Sequence, residues 1–252
     1  MKDNSIENHE AYKNCEGKLI CQLIGGSTLY GLNTPESDVD YRGLFVAKNK
    51  RYLANLDNIE SIVQTDDIDS TYYEITRYLK LLRKSNTQVL EILFAPDTAF
   101  TYKHPIFDEI VSHAYDLIDT NTLKNSLKGY VFSEIRLATG QRSGQLGGKR
   151  KKAVETYGFS PKNFVQSLRL CKVGIEFFTT GKYMVNVKEF DEKYWEKLMD
   201  LKTSPQYYTC ERFEQMVNEE FGRLEGIMES SKISFKFDPD IAADIILKAK
   251  QI

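Results

Sequence analysis

The spacing of hydrophobic positions changes near residue 70, and with it the kind of element the chain predicts. In the front part, apolar residues come in short runs. LICQLI (Leu19 to Ile24) is closed by Gly25-Gly26 and predicts a strand buried on both faces. DVDYRGLFV, from Asp38, and IESIVQ, from Ile59 to Gln64, predict two more strands. Ser27 to Leu32 has room for one or two helical turns, and Asn33-Thr34-Pro35-Glu36-Ser37 collects loop residues.

From Ser70 the period becomes helical. Ile75, Tyr78, Leu79 and Leu82 fall at i, i+3, i+4, i+7, with Tyr72, Tyr73 and Tyr78 placed on the same helix as core residues. VLEILF (Val89 to Phe94) continues helically up to Pro96, and apolar positions from Ile106 to Ile118 predict another helix. A further helix covers Thr122 to Thr139. GQRSGQLGGKRKK (Gly140 to Lys152) predicts a flexible loop. Ser160-Pro161 predicts an N-cap followed by proline at the first helical position, with the helix running to Thr180 and stopping at Gly181. A long last helix carries Phe213, Met216, Val217, Phe221, Leu224 and Met228 on one stripe. The class is therefore α/β in the α+β sense, a small mixed sheet with a C-terminal helical region. The expected division is residues 1–105 and 106–252, with no linker marking it.

Bulk properties remove some classes. With 34 basic and 36 acidic residues the net charge is −2, so any attraction to a polyanion must be local. Cys15, Cys21, Cys171 and Cys210 are scattered without CxxC spacing, which argues against a zinc site and a disulfide scaffold. The polar, acidic start MKDNSIENHEAYKN lacks the halves of a signal peptide, and no apolar run approaches the ~20 residues of a membrane span. A soluble cytoplasmic protein is expected.

Two short motifs carry chemistry. On a strand, Asp38 and Asp40 would share one face with Arg42, and Val39 would point away. Two carboxylates so placed repel unless cations lie between them. Mg²⁺ (or Mn²⁺) suits them, because it is commonly held by one or two carboxylates plus substrate phosphates. Gly25-Gly26-Ser27 ends a strand and opens a helix, so backbone N–H groups and the Ser27 hydroxyl can hold a phosphate. Either motif alone is usually a turn or a solvated strand end. Together, with ten residues between Ser27 and Asp38, they form a phosphate holder beside a metal holder.

GGS…SDVDYRGLF resembles the signature of the DNA polymerase beta nucleotidyltransferase superfamily. DSTYYEITRYLKLLRKSNTQVLEILFAP and GGKRKKAVETYGFSPKNFVQSLRLCKVGIEFFTTGKYMV are similar to stretches of predicted nucleotidyltransferases associated with RNA repair operons. The resemblance covers most of residues 18–187. It implies a catalytic core in 1–105, a substrate-binding helical domain in 106–252, and transfer of a nucleoside monophosphate from an NTP to a hydroxyl, with release of pyrophosphate. The acceptor would be an RNA end, a protein side chain or a small molecule. The superfamily site has a third carboxylate, and Asp69 matches it, with Asp66 and Asp67 in competition and Glu91 a more distant alternative. Asp38, Asp40 and Asp69 are thus the implied metal-binding and catalytic set, with Gly26, Ser27 and Arg42 on phosphate.

Further cations are candidates for triphosphate or an RNA backbone. Lys149, Arg150, Lys151 and Lys152 form a tetrad whose bland reading is a solvated charge run. Lys162, Gln166 and Arg169 share a polar stripe opposite Phe164, Leu168, Cys171 and Ile175. Related sequences would carry histidine at Gln166 and Asn163, so a role for that histidine is absent here, while Lys162 and Arg169 match. The competing classes are an inactive nucleotide- or RNA-binding module and an antibiotic-modifying transferase. The paired carboxylates argue against the first, and the basic tetrad argues against a cationic acceptor.

Overall fold

The computed structural model describes residues 6–64, 69–141 and 148–252, with the side chains of 148–150 left out. The elements in chain order are α1 (Glu10–Asn14), β1 (Lys18–Ile24), α2 (Gly26–Leu29), β2 (Tyr41–Val46), α3 (Lys50–Leu53), β3 (Ser61–Gln64), β4 (Ser70–Glu74), α4 (Ile75–Leu82) and α5 (Thr87–Leu93). They continue with β5 (Phe100–Lys103), α6 (Pro105–Ser112), α7 (Thr120–Ala138), α8 (Gly148–Tyr157), α9 (Pro161–Thr180), α10 (Val187–Phe190), α11 (Glu192–Thr203), α12 (Cys210–Ser230) and α13 (Pro239–Ala249). The α+β class read from the sequence is the one observed. Two compact units emerge: residues 1–122 with 235–252, and residues 123–234. The division falls later than the expected 105/106, and the chain returns to the first unit at its end.

In the first unit the sheet runs β3-β4-β2-β1-β5. β1 is antiparallel to β2 and to β5, β3 is antiparallel to β4, and β2 and β4 run parallel, with Tyr41 opposite Ser70. LICQLI is a central strand, and Ile20, Cys21 and Leu23 are fully buried. Ser70–Glu74 is also a central strand and not the start of a helix. Its Ser, Thr, Tyr and Glu hide the apolar signature of a buried strand, but their polar ends find partners: the Tyr72 hydroxyl donates to Gln22 Oε1 at 2.7 Å and that of Tyr73 to Gln88 Oε1 at 3.2 Å. Tyr72 and Tyr73 are therefore core residues on β4, while Tyr78 is buried on α4. Phe100–Lys103 was not foreseen as a strand. The helix expected to reach Ile118 ends at Ser112, and Leu117 and Ile118 are buried in the turns beyond it.

The helix ending at Ser230 is not the last. Asp238 caps α13, its carboxylate accepting from the backbone of Asp240 at 2.9 Å. α13 packs on α4 and α6, and the Lys248 ammonium pairs with Glu109.

In the second unit α9 is the axis. It begins at Pro161 after Ser160 and ends at Gly181, whose φ of 79° is the left-handed stop that glycine accepts freely. The packing of α9 on α12 centres on Phe164, Val217 and Leu224, with the Phe164 and Phe213 rings stacked at 5.2 Å. A Cβ on Gly174 would stand 2.9 Å from Leu224 and 3.0 Å from Leu127, so glycine there lets α9, α12 and α7 close together. The stretch read as a loop from Gly140 to Lys152 is helical from Gly148 onward.

Candidate active site

β1 ends at Ile24, where the chain turns through Gly25 and Gly26 into the single turn of α2. The Gly25 N–H donates to the carbonyl of Asp40 at 2.7 Å, so the turn is tied to the residue just before β2. Gly26 has φ of 59°, and a Cβ built on it would lie 1.8 Å from Asp40 Oδ2. A Cβ on Gly25 would lie 2.7 Å from Cγ of Arg42. The two glycines thus admit, side by side, the Asp40 carboxylate and the Arg42 stem. The backbone bonds of this turn are donated by Leu29, Tyr30, Gly31 and Leu32, none of them by Gly26, Ser27 or Thr28. With only four residues, α2 contributes individual N–H groups and the half-buried Ser27 hydroxyl rather than the dipole of a full helix.

Asp38-Val39-Asp40 does not lie on a strand. β2 starts at Tyr41, and the segment before it is an irregular lead-in held by a Thr34–Ser37 turn, with the Ser37 N–H donating to Thr34 O at 2.9 Å. The face-sharing argument for Asp38 and Asp40 therefore does not apply. Asp40 and Arg42 still flank one turn, Asp38 is exposed, and Val39 is 45 % exposed. The sheet pairing still reaches this end of β2: Asp40 accepts from Gly25 through its carbonyl, and Tyr41 donates its N–H to Asp69 O at 2.8 Å.

That last bond locates Asp69. With Tyr41 opposite Ser70 in the parallel pair, Asp40 and Asp69 are the residues immediately before the paired ones on neighbouring strands, whose backbones stand about 4.8 Å apart. Asp69 is exposed. Asp66 and Asp67 lie outside the described residues. Glu91 has another engagement: it is buried on α5, and its Oε2 accepts from the Tyr30 hydroxyl at 2.6 Å. Tyr30 is the C-cap of α2, so Glu91 braces the phosphate-side turn from behind. Sequence reasoning had no signal for this pair, since 61 residues separate the partners.

Among the described residues, no group of three His, Cys, Asp or Glu side chains is gathered tightly enough to form a metal cage by itself. Mg²⁺ bound with a nucleotide needs no such cage, because one or two carboxylates and the phosphates complete its oxygen shell. Asp38, Asp40 and Asp69 are thus not drawn into one tight set, but their carboxylate chemistry fits such an ion, and Gly26 leaves the Asp40 carboxylate room at the turn.

The cationic candidates separate. The side chains of Lys149 and Arg150 lie outside the described residues, while Lys151 and Lys152 are exposed on α8, with Lys151 3.9 Å from Glu155. Lys162 is exposed at the start of α9. Arg169 is not on a water-facing stripe: it is fully buried, and its Nε donates to Gln166 Oε1 at 3.0 Å. Of the three residues on that stripe, Lys162 is exposed and Gln166 half-buried, and Arg169 alone is enclosed, because α9 is packed on most sides at that point. Burial, with Lys162 nearby, pushes the Lys202 ammonium below the usual lysine range. No helix among the described residues is long and apolar enough to cross a membrane.

Residues 2–139 match the model of the RNA repair pathway DNA polymerase beta family. An uncharacterized 38.9 kDa protein in the nrdC-mobD intergenic region of Enterobacteria phage T4 is 32 % identical over 88 residues, which is 31 % of this chain and 26 % of the phage protein. The matched stretch thus spans about a quarter of that relative's length.

Proposed function

The chain belongs to the RNA repair pathway DNA polymerase beta family, and from that premise we propose that it is a metal-dependent nucleotidyltransferase acting on an RNA end. The observation that carries the reading is the close approach of Gly26 to Asp40. It sets a phosphate-holding turn against a carboxylate, with Asp69 one strand away.

In this reading the triphosphate lies against Ser27 and the N–H groups of the turn, and Arg42 offsets phosphate charge. Asp38, Asp40 and Asp69 would hold Mg²⁺ or Mn²⁺, which when bound polarises the phosphate and lowers the pKa of a coordinated hydroxyl. The acceptor oxygen attacks the α-phosphorus, forming one P–O bond as the bond to the β-phosphate oxygen breaks. Pyrophosphate leaves with that electron pair. The hydroxyl proton passes to solvent, with Asp69 as the neighbouring carboxylate able to relay it. The first unit would supply this chemistry and helices of the second the substrate contacts.

The test is label transfer from each of four [α-³²P]NTPs to total RNA and to total protein, with Mg²⁺ or Mn²⁺. Label should appear in RNA, and Asp38→Ala and Asp40→Ala should abolish it with folding intact. Label in neither pool rejects the reading. NTP binding that ignores metal and survives Asp38→Ala would point instead to an inactive nucleotide-binding module.

A further inference from the structure

α7 carries a groove whose features have no part in the chemistry above. Its volume is about 870 Å³, within the range of ligand sites, and among the described residues it is lined by Ser126, Gly129, Tyr130, Phe132, Ser133, Arg136 and Gln141. Ser126, Gly129, Tyr130, Ser133 and Arg136 follow one another at helical spacing, so they make one continuous stripe. From Ser126 to Arg136 it is about 15 Å long.

Gly129 is the informative member. Glycine is the poorest helix former after proline, and this one sits in mid-helix. Among the described residues no neighbour excludes a side chain: nothing lies within 4 Å of a Cβ built there. Packing therefore does not account for glycine at 129, in contrast to Gly174 on α9. The missing side chain instead leaves the helix backbone approachable from the groove.

The groups on either side of it have a consistent chemistry. Arg136 is exposed and enters no ion pair with another described residue, so its guanidinium is available to a phosphate. Ser126 contributes a hydroxyl. Tyr130 contributes a half-buried ring, and Phe132 is 43 % exposed while its edge is anchored on Phe221 at 4.8 Å. Aromatic rings beside a cation and hydroxyls are how proteins hold unpaired nucleotides, by stacking the bases and neutralising the backbone.

We infer that the α7 groove binds a single-stranded segment of RNA, the strand lying across Gly129 with a phosphate on Arg136. The choice of RNA over other polyanions rests on the transferase reading above; the groove itself does not.

The experiment is a fluorescence-anisotropy titration of the full chain with a short fluorescein-labelled single-stranded RNA, with ATP, duplex RNA or unlabelled single strand as competitor. Gly129→Leu and Arg136→Glu should each weaken binding about tenfold. Lys193→Glu, an equal charge change at an exposed site on α11, should leave it unchanged. Gly129→Leu should melt no lower than the wild type, since leucine favours the helix and meets open space, which separates lost binding from lost folding. Wild-type affinity in both groove variants, no single-strand binding by the wild type, or full displacement by ATP would each overturn the inference. RNA binding that depends on the groove, without label transfer from any NTP, would uphold the groove and reject the transferase. Label transfer with unaltered RNA binding in both variants would do the reverse.

Discussion

The Asp40 carboxylate occupies the space a side chain at Gly26 would need: a Cβ there would fall 1.8 Å from Oδ2. The glycine is required twice, by this contact and by its φ of 59°. Gly26→Ala should therefore destabilise the protein by about 1–3 kcal/mol and abolish nucleotide transfer. Removing the carboxylate as well, in Gly26→Ala with Asp40→Ala, should recover part of the stability and none of the activity. Denaturant unfolding of the two single variants and the double variant reads the coupling. Additive stability losses would show that the two residues do not collide.

The pair Tyr30 and Glu91 makes a separate prediction. The hydroxyl-to-carboxylate bond of 2.6 Å holds the C-cap of α2 from α5, and Glu91 is only 7 % exposed. Tyr30→Phe should cost about 1–3 kcal/mol by taking a hydrogen bond from a buried carboxylate. Glu91→Gln, which keeps an accepting oxygen, should cost less. Neither residue is assigned to the reacting atoms, so the kinetic effect should fall on KM for the nucleotide more than on kcat. An unchanged KM alongside a lost kcat would instead make Glu91 part of the chemistry.

Asp69 can be tested against its neighbours Asp66 and Asp67. Its backbone is bonded to Tyr41 and adjoins Asp40 across the parallel strands. Asp69→Asn should lower transfer at least a hundredfold, as expected for a lost metal ligand, and leave melting unchanged because the carboxylate is exposed. Asp66→Asn and Asp67→Asn should stay near wild type. If one of them fails and Asp69→Asn does not, the third carboxylate has been misassigned.

How far the sequence reached depends on which residues carry the signal. Ile75, Tyr78, Leu79 and Leu82 are legible because an amphipathic helix writes its period into the chain, and Pro161 and Gly181 mark the ends of α9 through their own backbone preferences. Gly25, Gly26 and Ser27 were legible as a strand end turning into a short helix, while Asp38 and Asp40 were expected on a strand and lie ahead of it. Asp40 bonds Gly25 through its carbonyl and leads into the strand, so the alternation rule did not reach Asp38. Ser70–Glu74 was lost because its burial is tertiary. Pairing with β2 on one side and β3 on the other makes a central strand of residues that look like a helix start, and Gln22 and Gln88 take up the Tyr72 and Tyr73 hydroxyls. Arg169 failed likewise: a wheel shows which residues share a face, and only the packed unit shows which part of that face is covered.

Two carboxyls should give the stability opposite responses to pH. Asp191 caps α11, its Oδ1 accepting from Tyr194 N at 2.9 Å, and its Oδ2 lies 2.6 Å from Lys172 Nζ. The Lys172 hydrogen bond holds its carboxyl below the usual aspartate range. The folded state therefore binds the proton less tightly than the unfolded chain. This contribution is fully present above the unfolded aspartate pKa of about 4 and is lost as pH falls through the folded one. Asp191→Asn should thus cost about 1 kcal/mol at pH 7, an amount kept small by solvent around the pair, and progressively less in acid. Glu74 behaves the other way. Burial pushes its carboxyl up despite the N–H of Thr76 at 2.7 Å, so its ionisation opposes folding once pH passes the unfolded glutamate pKa of about 4.3. Relative to wild type, Glu74→Gln should gain stability from pH 4 upward until Glu74 is ionised in both states, and Asp191→Asn should lose stability over its own acid window. Melting temperatures of the three proteins from about pH 3 to pH 8 read both slopes. Parallel curves for wild type and either variant would remove that carboxyl from the account.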